Sequence, residues 1–182
     1  MEIKLTTPLT EEKVKNLKSG DQVYITGTIY TLRDAGHKML VEQIDRGENL
    51  PLDLQDSIIY YAGPSPAKPG HVIGSAGPTT SYRMDAYAPR LLDLGLKGMI
   101  GKGDRNEKVI ESMKKNKAVY FAAIGGAAAL IASTIKSVEV IAYESLGTES
   151  LKKLYVEDFP AIVVIDSEGN NLYISEKAEY RK

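Results

Sequence analysis

The chain has 182 residues, with 23 basic and 24 acidic side chains, no cysteine and two histidines, His37 and His71. This composition excludes disulfides, thiolate catalysis and cysteine-held or histidine-rich metal sites within the chain. A net charge of −1 is not typical of a protein that follows a nucleic-acid backbone. We therefore predict no metal site and no nucleic-acid partner.

Length and hydropathy indicate the general class of protein. The length and the 43% hydrophobic share suit one domain over residues 1–182, with a lead-in over 1–20. The N-terminus carries Glu2, Glu11 and Glu12 and has no long apolar core, so it is not a secretory signal. We expect a cytoplasmic protein.

The first third of the chain predicts two helices and two strands. Thr10 is a candidate N-cap of a short helix, which Gly20 can end. The β-rich, alternating residues 21–32 predict a strand, and apolar residues at helical spacing predict a helix over 35–45. Residues 57–64, "SIIYYAGP", predict a second strand that ends at a Gly-Pro pair.

The middle of the chain continues the alternation of strands and helices. Residues 71–80 predict a strand that runs into a Gly-Pro corner, and 82–94 a helix that buries Met84, Leu91 and Leu92. A short strand within 96–104 and a helix over 107–115 follow. The alternation predicts a single α/β domain with a mixed sheet.

Residues 118–135, "AVYFAAIGGAAALIASTI", are uncharged and near the lower length limit of a membrane helix. Gly125 and Gly126 divide the stretch into a β-leaning half and an alanine-rich half. We predict a buried strand, a tight turn and a buried helix, hence no membrane association. The last elements are a strand over 138–145, a helical turn over 149–154 and a hairpin over 161–173.

The glycine cluster "GLKGMIGKGD" resembles a phosphate-binding loop but lacks the required pattern. Leu96 stands where the first glycine belongs, and Gly103 replaces the hydroxyl residue. A tight turn between a strand and a helix explains the glycines. Lys102 lies between two of them, and a mobile cation on such backbone suits an anion.

Arg33, Asp34 and His37 cluster where a predicted strand ends and a helix begins. One interpretation is structural: Asp34 caps the helix and Arg33 pairs with a surface acid. The other is functional, because a guanidinium can bind a carboxylate through two hydrogen bonds and a helix N-terminus favours the same charge. The residues alone leave both open.

The stretch "GPTTSYRMDAY" offers two threonines behind a Gly-Pro corner, followed by Arg83 and Asp85. Thr80 or Ser81 can cap the next helix, and an acid in the first turn is ordinary. An arginine in the first turn is unfavourable because its positive charge opposes the helix dipole. Such a departure from the usual charge preference is typical of a functional site.

These turns place several polar residues at predicted strand ends, where open α/β sheets bind ligands. Two arginines and a lysine suit a small dianion. The candidate set is Arg33, Thr79, Thr80, Arg83 and Lys102.

The motifs "RDAGHK", "YYAGP", "GPTTSYRMD", "GMIGKG" and "PAIVVIDSEGNNLY" together resemble the β subunit, or C-terminal domain, of class I fumarate hydratases. The L-tartrate dehydratase β subunit has a similar pattern. The resemblance covers residues 23–173, and the order and distance of "RDAGHK" and "GPTTSYRMD" make it specific.

The resemblance implies a swivelling β/β/α fold and a hydro-lyase of the tricarboxylic acid cycle that interconverts fumarate and malate. It implies a [4Fe-4S] cluster held by a cysteine-bearing α subunit, a hetero-oligomer, and inactivity of this chain alone. Carried over by position, Arg33, Arg83 and Lys102 contact the substrate carboxylates, and Thr79 is the general base. Further residues of these motifs are Thr80 as a substrate contact and, as possible site residues, Asp34, His37, Ser81 and Asp85.

Three hypotheses for the function follow. The first is the fumarate hydratase β subunit, and the second is a subunit of a dehydratase for tartrate or another hydroxy-diacid. The third is a non-catalytic anion-binding module, which would bind diacids without a partner. The two enzyme hypotheses require an exposed apolar face for an α chain.

Overall fold

A computed structural model describes residues 2–123 and 128–174. Within these residues, seven strands form one mixed sheet with helices on both faces. The strands are β1 (Glu2–Thr6), β2 (Gln22–Thr31), β3 (Ile58–Tyr60), β4 (Gly98–Gly101), β5 (Val119–Ala123), β6 (Ile135–Ala142) and β7 (Leu151–Ile165). The expected mixed α/β domain is confirmed.

Five short α-helices have both ends within the part of the chain that the structure describes. They are α1 (Glu11–Lys15), α2 (Asp34–Asp45), α3 (Ala88–Asp93), α4 (Glu107–Asn116) and α5 (Ala128–Thr134). Two 3₁₀ helices, Ser81–Met84 and Glu144–Glu149, precede α3 and β7 respectively.

The sheet order is β1-β2-β3-β4-β5-β7-β6, and the first five strands are mutually parallel. The long strand β7 is antiparallel to β5, β6 and β2. Because β7 pairs with both β5 and β2, the strands β2, β3, β4, β5 and β7 close into a ring. The parallel arrangement brings the carboxyl ends of β2, β3 and β4 to one edge.

Each face of the sheet carries its own hydrophobic core. Ile58 and Tyr60 of β3 pack with α1 and α5 residues on one face. Ile59 points to the other face and packs, with Tyr61, against α2, α3 and α4. Successive side chains of a strand point to opposite faces, so these strands are buried on both sides.

Most of the expected elements are confirmed. The Thr10 hydroxyl accepts a hydrogen bond from the Lys13 amide at the start of α1, although the helix ends at Lys15 rather than Gly20. The buried strand expected in the first half of 118–135 is present as β5, and the helix expected in the second half is present as α5. The helix is not buried as expected, because it packs on the sheet with one side only: Ile131 is buried, whereas Leu130 is 53% exposed. The Gly125-Gly126 turn lies outside the described residues.

Two expectations for residues 71–94 are wrong. The segment 71–79 forms no strand, and only Thr80 makes an isolated bridge, to Lys102. Pro78 has no N–H to donate to a ladder, and Gly74 and Gly77 have no side chain to pack in a strand, so the segment crosses the sheet edge as a loop. The single helix expected over 82–94 is two helices, a 3₁₀ helix and α3, and Pro89 lies in the first turn of α3, where its missing N–H costs nothing. Met84, Leu91 and Leu92 are buried as expected.

The C-terminal third differs in two places. The expected helical turn over 149–154 is wrong, because Leu151 already begins β7, whose two edges are paired with β2 and β6. The turn of the expected hairpin forms, with Asp166 accepting from the Glu168 and Asn170 amides. Its second strand does not form: Asn171 makes one isolated bridge and residues 172–174 are helical.

Candidate functional site at the carboxyl ends of three parallel strands

Three neighbouring parallel strands deliver the candidate residues to one edge of the sheet. Arg33 follows β2 and caps α2 through its backbone. Tyr61 and Gly63 follow β3, and Lys102 follows β4. Carboxyl ends of parallel strands are where α/β sheets bind ligands, so this edge is the candidate site.

The threonine loop lies between the ends of β3 and β4. The Thr79 amide donates to the Tyr61 carbonyl at 2.7 Å, and the Ser81 amide donates to the Lys102 carbonyl at 2.9 Å. Thr80 lies opposite Lys102 in a parallel bridge. The structure therefore brings Thr79 and Thr80 close to Lys102, which is distant from them in sequence.

Arg33 lies against the backbone that leaves β3. A Cβ on Gly63 would lie 2.8 Å from Arg33 Cδ, so a larger residue at position 63 would displace the Arg33 side chain. Arg33 Nε is 4.0 Å from Glu149 Oε1, beyond hydrogen-bonding distance. The same Glu149 oxygen accepts from the Ala35 amide at 3.4 Å, at the N-terminus of α2. Arg33 is thus held loosely beside an anion-favouring helix end.

The cations on the surface of the site have no internal partner. Arg83 and Lys102 are exposed. Within the described residues neither side chain forms a salt bridge or a hydrogen bond. We call Thr79, Thr80, Arg83 and Lys102 the outer layer of the site. Its two charges are available to an external anion.

A buried group of polar residues lies beneath the outer layer. Arg105 is completely buried, and its Nε donates to Asp85 Oδ1 at 2.7 Å. Asp85 Oδ2 accepts from the Asn106 amide at 2.9 Å. The Ser81 hydroxyl lies 2.7 Å from the Tyr120 hydroxyl. We call Ser81, Asp85, Arg105 and Tyr120 the inner layer.

Two candidate residues thus lie in the inner layer rather than on the surface. Both carboxylate oxygens of Asp85 are used within the protein, and Ser81 is fully buried. Their contacts indicate that they support the outer layer.

His37 and Asp34 occupy the first turn of α2. His37 is fully buried against the rings of Tyr61 and Tyr87, and its Nδ1 donates to the Arg33 carbonyl at 2.9 Å. Burial lowers the pKa of His37 to about 4, so the imidazole is neutral near pH 7. Within the described residues, His37 Nε2 and Asp34 Oδ1 are buried without a hydrogen-bond partner.

Sequence reasoning missed three residues of this region, namely Tyr61, Arg105 and Tyr120. The Arg105 guanidinium lies over the Tyr61 and Tyr120 rings, 5.2 Å and 4.9 Å from their centroids. Only the glycine-flanked turn before Arg105 was visible as a signal. Nothing in the sequence distinguishes a buried arginine from the exposed Arg83.

The donor set of the described residues does not suit a metal. No group of three histidine, cysteine, aspartate or glutamate side chains in residues 2–123 and 128–174 is placed to hold an ion. Across the same ranges, no helix has the length and apolar character needed to span a bilayer.

Comparison with known proteins identifies the family. Residues 1–176 match the family model described as fumarase C-terminus. The chain is 39% identical over 175 residues to the aerobic class I fumarate hydratase of Salmonella typhimurium. It is 37% identical over 175 residues to fumarate hydratase 2 of Leishmania major.

The relatives differ in how much of their length the chain covers. The chain spans 30% of the Salmonella protein and 31% of the Leishmania protein. It is also 41% identical over 171 residues to a putative L(+)-tartrate dehydratase subunit beta of Methanocaldococcus jannaschii, covering 91% of this chain and 88% of that one. With nearly its whole length matched by one model, the chain belongs to the fumarase C-terminal family.

Proposed function

We propose that this chain is the β subunit of a class I fumarate hydratase, in which it binds the carboxylates of a small diacid. The observation that carries the proposal is the outer layer, where two unpaired cations lie beside two threonines at the carboxyl edge of the parallel strands. Fumarate and L-malate each carry two carboxylates. Arg33, held between Gly63 and Glu149, supplies a third cation at the same edge.

The proposed roles follow from the chemistry of the hydration. The proton that leaves malate is α to a carboxylate, so negative charge grows toward that group during the reaction. A preorganised arginine or lysine at that carboxylate stabilises the transition state more than the ground state. Arg33, Arg83 and Lys102 take this role, and Thr80 contributes a hydroxyl contact.

Thr79 is the proposed base, and it requires activation. A neutral aliphatic hydroxyl is a very weak base, and it is too weakly acidic to lose its own proton unaided. It can therefore accept the substrate proton only with the help of another group. Within the described residues no side chain hydrogen-bonds the Thr79 hydroxyl. In this proposal a group of the partner chain activates the hydroxyl when that chain closes on the site.

This chain does not fit an iron–sulfur cluster. Such a cluster is held mainly by cysteine thiolates, and the sequence contains none. The [4Fe-4S] cluster of the proposed enzyme consequently belongs to an α subunit. The relatives of which this chain spans about 30% leave room for such a second part. The assembly is then a hetero-oligomer, inactive without its α subunit and placed in the cytoplasm.

The closed ring of strands, with helices on both faces, supports a swivelling β/β/α domain. In this proposal residues 1–182 act as one unit that moves against the α subunit. Such a motion would carry the outer layer toward the partner's reacting groups.

A tartrate dehydratase β subunit is the second candidate. One observation favours it: the chain covers 88% of the Methanocaldococcus protein, whose name describes a separate β subunit. Tartrate offers the same two carboxylates and one more hydroxyl than malate. The same cations would bind it, so the substrate must be determined by assay.

The test is anaerobic co-expression of this chain with a candidate cysteine-bearing α chain, followed by cluster reconstitution. Fumarate formed from malate is then measured by absorbance for each chain alone and for the pair. We expect product only from the pair. Activity on tartrate but not on malate would transfer the assignment to the dehydratase. A chain that binds diacids alone and forms no complex would contradict both and support a non-catalytic binding module.

Within the active pair, Thr79→Ala tests the base. We expect a much larger fall in kcat than change in KM, because the hydroxyl acts on the reacting proton. Thr10→Ala, at the N-cap of α1, removes a threonine hydroxyl elsewhere and serves as the control. Unchanged turnover in Thr79→Ala would remove Thr79 from the mechanism.

A further inference from the structure

The inner layer contains a charge that the fold has no evident need to bury. The Arg105 side chain is 0% exposed and its partner Asp85 only 9%. Replacing a buried ion pair with apolar residues of similar volume is often neutral or stabilising. Stability alone is therefore a poor reason for this pair.

The contacts of Arg105 connect segments that are distant in sequence. Besides Asp85, its guanidinium donates to the Tyr61 hydroxyl at 3.2 Å and to the Met99 sulfur at 3.4 Å. Asp85 follows the threonine loop, Tyr61 follows β3 and Arg105 itself follows the Lys102 turn. The pair joins the three segments that surround the outer layer.

Tyr120 makes a second connection between the same segments. Its hydroxyl donates to the Gly103 carbonyl at 2.8 Å. Because the Tyr120 hydroxyl uses its single proton in this bond, the Ser81 hydroxyl must donate to the Tyr120 oxygen, which lies 2.7 Å away. One phenol thus links the residue after Thr80 to the residue after Lys102.

Steric contacts show how closely the two loops approach. A Cβ on Gly101 would lie 2.0 Å from Ser81 Oγ and 2.9 Å from the Tyr61 ring. Any larger residue at position 101 would push the threonine loop away from β4. Hydrogen bonds and close packing therefore fix the same separation.

We propose that Tyr120 and Arg105 are positioning residues that hold Thr79 and Thr80 at a fixed distance from Lys102. This proposal rests on the proposed function, since it assumes that the outer layer binds substrate. Neither residue touches the substrate. They act through Ser81, Gly103 and Asp85, and a displacement of about 1 Å at a reacting group can cost on the order of a hundredfold in rate.

The test replaces Tyr120 with phenylalanine in the assembled two-chain enzyme. Tyr120→Phe removes one hydroxyl and keeps the ring over Arg105. We expect kcat to fall about tenfold or more, with a smaller change in KM, because alignment is lost rather than charge. Tyr143→Phe is the matched control, since its hydroxyl bonds to Gln43 outside both layers of the site.

Two further variants use the same assay. Ser81→Ala removes the other half of the hydrogen bond, so its effect and that of Tyr120→Phe should not add in the double variant. Gly101→Ala retains every polar group but forces the loops apart, and we expect it also to lower kcat.

Amide hydrogen exchange on the same complexes gives a readout independent of activity. We expect faster exchange at 79–81 and 102–106 in Tyr120→Phe and unchanged exchange there in Tyr143→Phe. Wild-type kcat in Tyr120→Phe would overturn the proposal, as would a lower kcat with wild-type exchange. If the wild-type complex is inactive on diacids, the proposed function fails. The amide hydrogen exchange rates then test the structural part of the proposal by themselves. Unchanged rates at 79–81 and 102–106 in Tyr120→Phe would overturn the role of Tyr120 in linking the two loops, and faster rates would support it.

Discussion

The outer and inner layers of the site contain the same kinds of residue in opposite environments. Arg83 is exposed and has no partner among the described residues, whereas Arg105 is completely buried and hydrogen-bonded to Asp85. Both lie on short segments after glycine-containing turns. In the proposed enzyme the two arginines would act differently: Arg83 would contact the ligand, and Arg105 would fix the backbone of the segments that contact it.

The difference follows from the path of the chain between Thr79 and Asp85. Thr79 and Thr80 are partly exposed, Ser81 is buried, Arg83 is exposed and Asp85 is buried again. One short segment thus supplies residues to both layers. Substitutions in the two layers should consequently separate effects on activity from effects on stability.

The largest expected effect is on stability, from Arg105→Ala. Removing the guanidinium leaves Asp85 buried without its charge partner, which costs about 3–5 kcal/mol in the free energy of unfolding. Denaturant unfolding of the isolated chain measures this cost. The double variant Asp85→Leu/Arg105→Met removes both charges and should be clearly more stable than Arg105→Ala. A wild-type unfolding midpoint in Arg105→Ala would contradict the expected cost of leaving Asp85 buried without a charge partner.

Arg83→Ala should show the opposite behaviour. In the active two-chain enzyme we expect kcat/KM to fall about 10²–10³-fold, because a preorganised charge is lost from the transition state. The free energy of unfolding should change by less than about 0.5 kcal/mol, as is usual for exposed positions. Arg46→Ala, at an exposed arginine paired with Glu48, is the control and should retain activity. Full activity in Arg83→Ala would remove it from the outer layer's function.

A smaller effect concerns pH and the neutral imidazole beneath Arg33. The pKa of His37 is about 4 in the folded chain against 6.5 in the unfolded one, so the unfolded state binds the proton first. Stability is then complete above about pH 6.5 and declines as the pH falls toward 4, by about 2 kcal/mol between pH 8 and pH 5. Arg105 opposes protonation and Asp34 favours it, while Tyr61 and Tyr87 cover the ring.

Chemical unfolding across this pH range measures the effect. His37→Gln should reduce the loss of unfolding free energy between pH 8 and pH 5. His71→Gln, at an exposed histidine, should leave that loss unchanged. An identical pH profile for His37→Gln and the wild type would contradict the neutral buried state.

The smallest effect should come from a surface ion pair. Lys4 and Asp158 lie 2.8 Å apart, with side chains 73% and 57% exposed. Solvent screening and side-chain entropy offset most of the attraction between such charges. We expect Lys4→Ala to leave the melting temperature within error of the wild type, in contrast to Arg105→Ala. A shift comparable to that of Arg105→Ala would show that burial does not separate the two pairs.

The sequence was informative where the physics is local. Thr10 predicts the start of α1 because its hydroxyl satisfies an amide three residues away, and the apolar spacing of 35–45 predicts α2. Lys102 was predicted correctly at the end of a strand, whereas Thr79 and Thr80 reach the same edge through a loop and not through the strand expected over 71–80. Their roles toward a substrate remain proposals.

Sequence reasoning failed where pairing or burial depends on distant residues. The segment 71–79 was expected to form a strand, but it contains Gly74, Gly77 and Pro78 and runs as a loop without ladder pairing. The segment 149–154 looked helical, yet the open edges of β2 and β6 draw it into β7. The sequence alone also gave no sign that the Asp85 carboxylate pairs with the buried Arg105 guanidinium.

The sequence by itself determined the fold class, the family motifs and the absence of any thiolate ligand, since composition and local periodicity carry that information. Only the tertiary structure decided which charges face outward and which are buried. That choice depends on contacts between the threonine loop, β3 and the Lys102 turn. Residues in contact through space, such as Ser81 with Tyr120 and Asp85 with Arg105, leave no periodic signal along the chain.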